Sequence, residues 1–444
     1  MTKQLNDWLN MRSLRMVLII FLLLSKQVAY GDTIHLDDAI ALAMEYSEQV
    51  QLSSLEGIQA EQRVREAHAA GLPRVDLSVN YDRNWLLPSL VFNGNSVKLG
   101  SENNIAARFN VQQSLFTGGR VTGVRQVAKL DRAAVKEMQK EMHQEVILSV
   151  EKGFYELLVA RELESVAIMA VMSARKNLGQ VEARRDAGRS SQYDLLSAGV
   201  QVSEAVADSI RAQHIRLLAE MAFKDIIGMD LNRSAQFVGD FRTETTLSLD
   251  RLQPLVERAL SERPELLQLD FRIQQQRANI AVERAGRMPN ISLVASGQSQ
   301  FQSDSFDLGD REWRKNWGTG VVMQMPIFDG MRTSSRVAQV KTGMHKIELE
   351  KRRLERFIRL EVEQNWLRWH EVKARMATQE ETVLQAEKGL EIAESRYRTG
   401  AGTQLEILNA QLALFQSRTG IALAKRDRAL SLVLLERAVG VLGQ

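Results

Sequence analysis

Downstream of Pro73 the chain alternates apolar and polar residues, with Val75, Leu77, Val79 and Tyr81 set against Asp76, Ser78, Asn80 and Asp82. A returning segment repeats the pattern, with Ile105, Ala107, Phe109, Val111 and Leu115 against Ala106, Arg108, Asn110, Gln112 and Ser114. Two further segments do the same. Ile291, Leu293, Ala295 and Phe301 oppose Ser292, Ser296, Gln298 and Gln300, while Trp317, Thr319, Val321, Met323 and Met325 oppose Gly318, Gly320 and Gln324. Period two over ten or more residues predicts strands with one apolar and one wet face. The predicted spans are roughly 74–92, 104–116, 290–302 and 316–328.

Elsewhere the apolar spacing is three and four, the helical period, as in Leu36, Ile40, Ala43 and Met44. It predicts helices over about Asp37–Ala70 and Leu252–Gly286, and long ones over roughly 120–187, 191–228, 332–398 and 403–440. The two longest contain no proline and almost no glycine, so each is expected to reach about 100 Å. Val135, Met138, Met142 and Val146 mark a packing seam on the first of them. Helices this long lie against neighbours, because they cannot wrap a compact core.

The pattern is written twice. RRDAGRSSQYDLLSA (Arg184–Ala198) returns as RYRTGAGTQLEILNA (Arg396–Ala410), 212 positions later, and SLFTGGR returns in the same register as PIFDGMR. Upstream the offset is 216, which sets Ala43 on Ala259, Val50 on Leu266 and Pro73 on Pro289. Two constant registers separated by one short deletion indicate a duplication. The copies are residues 32–231 and 251–444, joined by a linker over 232–250.

Composition then narrows the class. The 44% hydrophobic and 25% charged content is that of a folded chain. Arg12 and Arg15 precede the apolar run Met16–Leu24, and Ala29-x-Gly31 follows it, so residues 1–31 are expected to be a signal peptide, with Met11 an alternative start. That segment carries the chain's net +3. The remainder is near neutral, so the basic balance gives no case for nucleic-acid binding. The absence of cysteine excludes disulfides, thiolate metal sites and a lipid-modified cysteine. The six histidines form no i, i+4 pair, and no phosphate loop or serine elbow is present, so no enzyme and no cofactor are expected.

For an exported chain, strands of this length with a Ser, Asn and Gln-rich wet face suit an outer-membrane barrel, apolar outside and polar within. Four strands cannot close such a barrel, and an open edge cannot lie in lipid. An oligomer is therefore implied. Two chains would supply eight strands and three would supply twelve, and physics alone does not choose.

The signal peptide, the strand pairs ending SLFTGGR and PIFDGMR, the long helices and the twin glycine hairpins together resemble the TolC family of outer-membrane factors. The resemblance covers the mature chain. It implies a mainly α fold with a transmembrane β portion: a trimer whose strands form a twelve-stranded barrel in outer-membrane lipid, continued by an α-barrel across the periplasm. It also implies a duct that docks to a periplasmic adaptor (a membrane fusion protein) and an inner-membrane RND or ABC transporter, serving efflux or type I secretion. By the same resemblance 232–250 lies in an equatorial collar, and the hairpins form the periplasmic tip. The tip residues are then Gly188, Tyr193, Asp194, Tyr397, Gly400, Glu406 and Asn409. Glu406 falls on an inward carboxylate of the pore ring, and Asn409 stands where a second acid is found. Tyr397 matches a tyrosine that bonds across to the neighbouring hairpin, and Asp194 matches an acid that pairs with arginine. Gly402 occupies that arginine's position, so the pair is absent here or is made by another base such as Arg398 or Arg189. The rival readings are a periplasmic adaptor and an exported coiled-coil scaffold without a pore.

Overall fold

The computed structural model describes residues 32–92, 94–305 and 313–443. The expected signal peptide, with Met11 and the cleavage site, lies outside the described residues, as does most of the loop joining the last two strands. The elements are β1 (Asp32–Ile34), α1 (Leu36–Tyr46), α2 (Glu48–Ala69), β2 (Arg74–Arg83), β3 (Ser89–Phe92), β4 (Asn95–Lys98), β5 (Asn103–Phe116), α3 (Arg120–Asp186) and α4 (Gln192–Ile226). After β6 (Ala235–Phe237) come α5 (Leu252–Glu262), α6 (Pro264–Arg284), β7 (Asn290–Ser303), β8 (Arg314–Gln324), α7 (Arg332–Thr399) and α8 (Gln404–Val439). The molecule is mainly helical and internally duplicated, with two long helical hairpins, α3–α4 and α7–α8, and a four-stranded sheet.

The sheet runs β2-β5-β7-β8, antiparallel throughout. Its register turns the sequence alternation into two faces. Leu77 pairs with Phe109, Phe109 with Gly297 and Gly297 with Trp317, while on the other face Ser78 pairs with Arg108, Arg108 with Gln298 and Gln298 with Asn316. Much of the apolar face lacks cover among the described residues: Leu77 is 70% exposed and Trp317 85%, while Phe301 is buried beside Trp313. The outer edges of β2 and β8 lack neighbours among the described residues.

Three boundaries differ from the sequence expectation. The first strand stops at Arg83, because residues 89–92 turn back on 95–98 as a separate hairpin, with Leu99 N–H donating to the Pro88 carbonyl at 2.8 Å. The last strand stops at Gln324, two residues short of Pro326, which has no N–H for a ladder. Each opening helix is broken in two, at Ser47 (ψ 122°) and Arg263 (ψ 124°). Pro264 forces its predecessor out of the helical region and then starts α6. Ser47, at the equivalent place in the first copy, has no proline behind it. It bends because α1 buries Ala39 and Ala43 completely in the central core, a tertiary demand the local sequence does not show.

The core lies at the level where the linker wraps the helices. Phe154 and Tyr155 of α3, Phe223 of α4 and Phe237 of β6 are fully buried there, with rings of Phe223 and Phe237 edge-on at 4.9 Å. β6 pairs in parallel with β1, tying the linker to the start of the first copy. That pairing was not expected from sequence, because each strand has only three residues. On the other side Leu247 joins Leu255, Val256, Ile358, Val362 and Leu435, and Trp366 donates to the Leu249 carbonyl at 2.9 Å. The expected seam on α3 is shifted: Val146 is buried with Ala134, Ile147 and Val150, while Met138 and Met142 are half-buried.

Candidate functional site

The far ends of both hairpins are built the same way, because the same residues recur. α3 ends in a left-handed Gly188 (φ 70°), with Gly188 N–H donating to the Arg185 carbonyl and Arg189 N–H to the Arg184 carbonyl, each 2.8 Å. α7 ends in Gly400 (φ 85°), whose N–H donates to the Tyr397 carbonyl at 3.0 Å, while Ala401 N–H donates to the Arg396 carbonyl at 2.9 Å. Both are Schellman endings, which need a residue without a Cβ clash at the left-handed position.

The next helices start on hydroxyl caps. Ser191 Oγ accepts from Asp194 N–H at 3.1 Å, and Thr403 Oγ1 accepts from Glu406 N–H at 3.3 Å. The matched acids are therefore third-position cap residues, in the S-x-x-D and T-x-x-E spacing. Asp194 completes its box by accepting from Ser191 N–H at 3.0 Å and from the Ser190 hydroxyl at 3.2 Å. These bonds, Ser191's backbone N–H foremost, hold its carboxyl below the usual aspartate range, with Arg184's charge adding in the same sense. No ion pair joins Asp194 to Arg189 or Arg398 among the described residues. Glu406 behaves differently: it accepts from Arg396 Nε at 3.2 Å, an exposed pair within its own hairpin. Gly402 carries no arginine because the loop passes directly over the end of α7, where a Cβ would lie 2.9 Å from Arg396 Cβ and 3.0 Å from Tyr397 N.

The two hairpins meet through Tyr397. Its ring is buried with Val181, Ala198, Ala393 and Ile407, one contribution or more from each of the four helices. Arg184 of the first hairpin stacks its guanidinium 4.3 Å from the Tyr397 ring centroid and also donates to the Tyr397 carbonyl. Tyr397 thus bridges to the other hairpin of its own chain, while its hydroxyl is buried without a partner among the described residues. Tyr193 is 77% exposed and Asn409 is exposed, so neither takes part in this junction. Arg184 and Arg396 are equivalent residues of the two copies and make contacts here, although neither is among the tip residues that the family resemblance implies. Their recurrence at the head of each repeated stretch was the available signal.

Further from the tip a groove of about 590 Å³ opens between the hairpins, lined by Met169, Met172, Gln411, Leu412 and Phe415 with Arg418 at its side. Among the described residues no cluster of three or more acidic or histidine side chains is placed to hold a metal. No described helix is long and apolar enough to cross a membrane.

The model of the family described as outer membrane efflux protein matches the chain twice, over 39–229 and 255–441. The outer membrane protein TolC of Vibrio cholerae is 22% identical over 385 residues, covering 86% of this chain and 85% of that protein. The alkaline protease secretion protein AprF of Pseudomonas aeruginosa is 24% identical, over 96% and 88% of the two chains. Among solved structures, the outer membrane protein VceC of Vibrio cholerae superposes with a TM-score of 0.77 at 18% identity, covering 91% of this chain and 96% of that one. The outer membrane channel CmeC of Campylobacter jejuni also gives 0.77 at 18% identity, with 91% and 85% coverage. With the duplication matched copy by copy and the fold shared along its length, this chain belongs to the outer membrane efflux protein family.

Proposed function

We propose that the protein is the exit duct of an efflux or type I secretion machine, with no catalytic step of its own. Three copies set their four-stranded sheets edge to edge in the outer membrane, apolar face to lipid and polar face to water, and their helices continue the conduit into the periplasm. The observation that carries this reading is the sheet itself: two chemically opposite faces, a largely exposed apolar side, and edges at β2 and β8 without neighbours among the described residues. Such edges are intolerable in lipid unless another chain completes the ladder. The relatives' names, covering protease secretion for one and solvent efflux for another, support a conduit and leave the cargo open.

In this reading the tip formed by Gly188, Tyr193, Asp194, Tyr397, Gly400, Glu406 and Asn409 faces the partners. A periplasmic adaptor would seat its helices along the groove between the hairpins, whose Met and Phe lining suits an amphipathic partner. An inner-membrane transporter of the RND or ABC class would deliver the cargo. A scaffold or an adaptor would need no amphiphilic sheet.

The test uses the natural absence of cysteine. Single cysteines placed in pairs on β2 and β8, for instance Ser78→Cys with Gly318→Cys and neighbouring registers, are expected to oxidise between chains into a ladder that ends at the trimer. The same protein in a planar bilayer is expected to give discrete conductance steps. A ladder that ends at the dimer, or monomer alone under full oxidation with no conductance, overturns the reading.

A further inference from the structure

Two carboxylates are buried side by side where the linker crosses the helices. Glu151 of α3 is 3% exposed and Glu436 of α8 is 4% exposed. One guanidinium serves both: Arg242, in the segment between β6 and α5, binds Glu436 directly and lies 3.5 Å from Glu151 Oε1. Thr245, from the same segment, donates to Glu436 at 2.6 Å, and Tyr155 donates to Glu151 at 3.4 Å. The charged groups acting on Glu151 are Arg242 from the linker, Glu436 from α8 and Asp37 from α1, with Tyr155 on its own helix. With both carboxylates ionised the buried cluster carries one uncompensated negative charge, a state that low-polarity surroundings strongly disfavour.

We propose that Glu151 is a proton-binding site, and that Glu151, Arg242 and Glu436 form a pH-sensitive clasp fastening the inter-repeat segment to the helical wall. With a proton on Glu151 the charges match one to one, and Arg242 is committed to Glu436. Loss of the proton sets two anions competing for one arginine and loosens residues 238–249. Burial is the largest influence on Glu151, and Glu436 adds to it against the pull of Arg242; together they raise its carboxyl to about 7. A raised carboxyl supports the closed form fully below the ordinary glutamate range, and that support is lost as pH climbs to the raised value.

The inference rests on the fold and is independent of the duct reading. It is tested on the full chain in detergent micelles by hydrogen exchange of residues 238–249, corrected for the intrinsic rate. Protection in the wild type is expected to fall on the order of tenfold between about pH 5.5 and about pH 8, levelling off above about 7. Glu151→Gln, which keeps the side chain's shape and one acceptor oxygen and removes the titrating proton, is expected to hold its protection across that range. A flat wild-type profile, or an undiminished step in Glu151→Gln, overturns the clasp while leaving conductance and the duct reading untouched. Should Glu151→Gln fail to fold, the infrared carbonyl stretch of a buried protonated carboxyl in the wild type decides. Its presence near pH 6 and loss by pH 8 supports the clasp, and its absence at pH 6 overturns it.

Discussion

At the tip, equivalent residues of the two copies share one duty and differ in another. Gly188 and Gly400 sit at φ 70° and 85° with open space around them, so a methyl group there meets no neighbour and only the backbone resists. Gly188→Ala and Gly400→Ala are each expected to lower stability by about 1 kcal/mol, read as a reduced denaturation midpoint. Arg184 and Arg396 are equivalent by duplication, yet Arg184 crosses to Tyr397 and Arg396 folds back on Glu406. In the proposed aperture that second pair matters electrically, because rings of unpaired carboxylates favour cations. In a trimer, three Glu406 side chains, each beside an Arg396, would form a nearly balanced ring. Glu406→Ala is expected to raise single-channel conductance or lessen block by multivalent cations, and Arg396→Ala to strengthen that block. Unchanged conductance and block in both variants would remove these residues from the aperture.

At the scale of elements, the helix breaks and caps show where local sequence suffices. Pro264 is a local cause of its break, although the helix expected over Leu252–Gly286 runs through it, and the S-x-x-D and T-x-x-E spacings cap two helix starts. Ser47 announces nothing, and its bend had to be seen. The residue equivalent to it, Arg263, is 4% exposed and holds Glu265 at 2.7 Å and Glu361, while Arg437 binds Glu265 at 3.0 Å. Burial by itself would raise Glu265, but Arg263 and Arg437 outweigh it and bring its carboxyl down to about 2. A lowered carboxyl contributes stability above the ordinary glutamate range and loses it as pH falls toward the lowered value. Arg263→Met is expected to cost about 1.5–3 kcal/mol at neutral pH, because half-buried Glu361 loses this partner and half-buried Glu265 keeps only Arg437. The same variant should lose less further stability than the wild type between about pH 4.5 and about pH 2.5 in urea denaturation. Equal acid sensitivity in both proteins would refute the assignment.

For the whole molecule, the period-two segments and the long proline-free stretches made the class legible: a duplicated, mainly helical chain with four amphiphilic strands. Periodicity suffices for this because each side chain's face is set by its own position in a helix or strand. The clasp around Arg242, the β1–β6 pairing, the buried Glu151 and Glu436, and the crossing of Arg184 to Tyr397 were not legible. Each joins residues far apart in the chain, and the joining is decided by packing. The duplication gives no guide there, since equivalent residues such as Lys224 and Glu436 carry opposite charges and serve different networks. Sequence alone determined which faces are apolar and where the chain repeats, since these depend on neighbours a few positions away. Only the tertiary structure decided which charges are buried together and which arginine meets which partner, since desolvation is a property of the space that distant segments enclose.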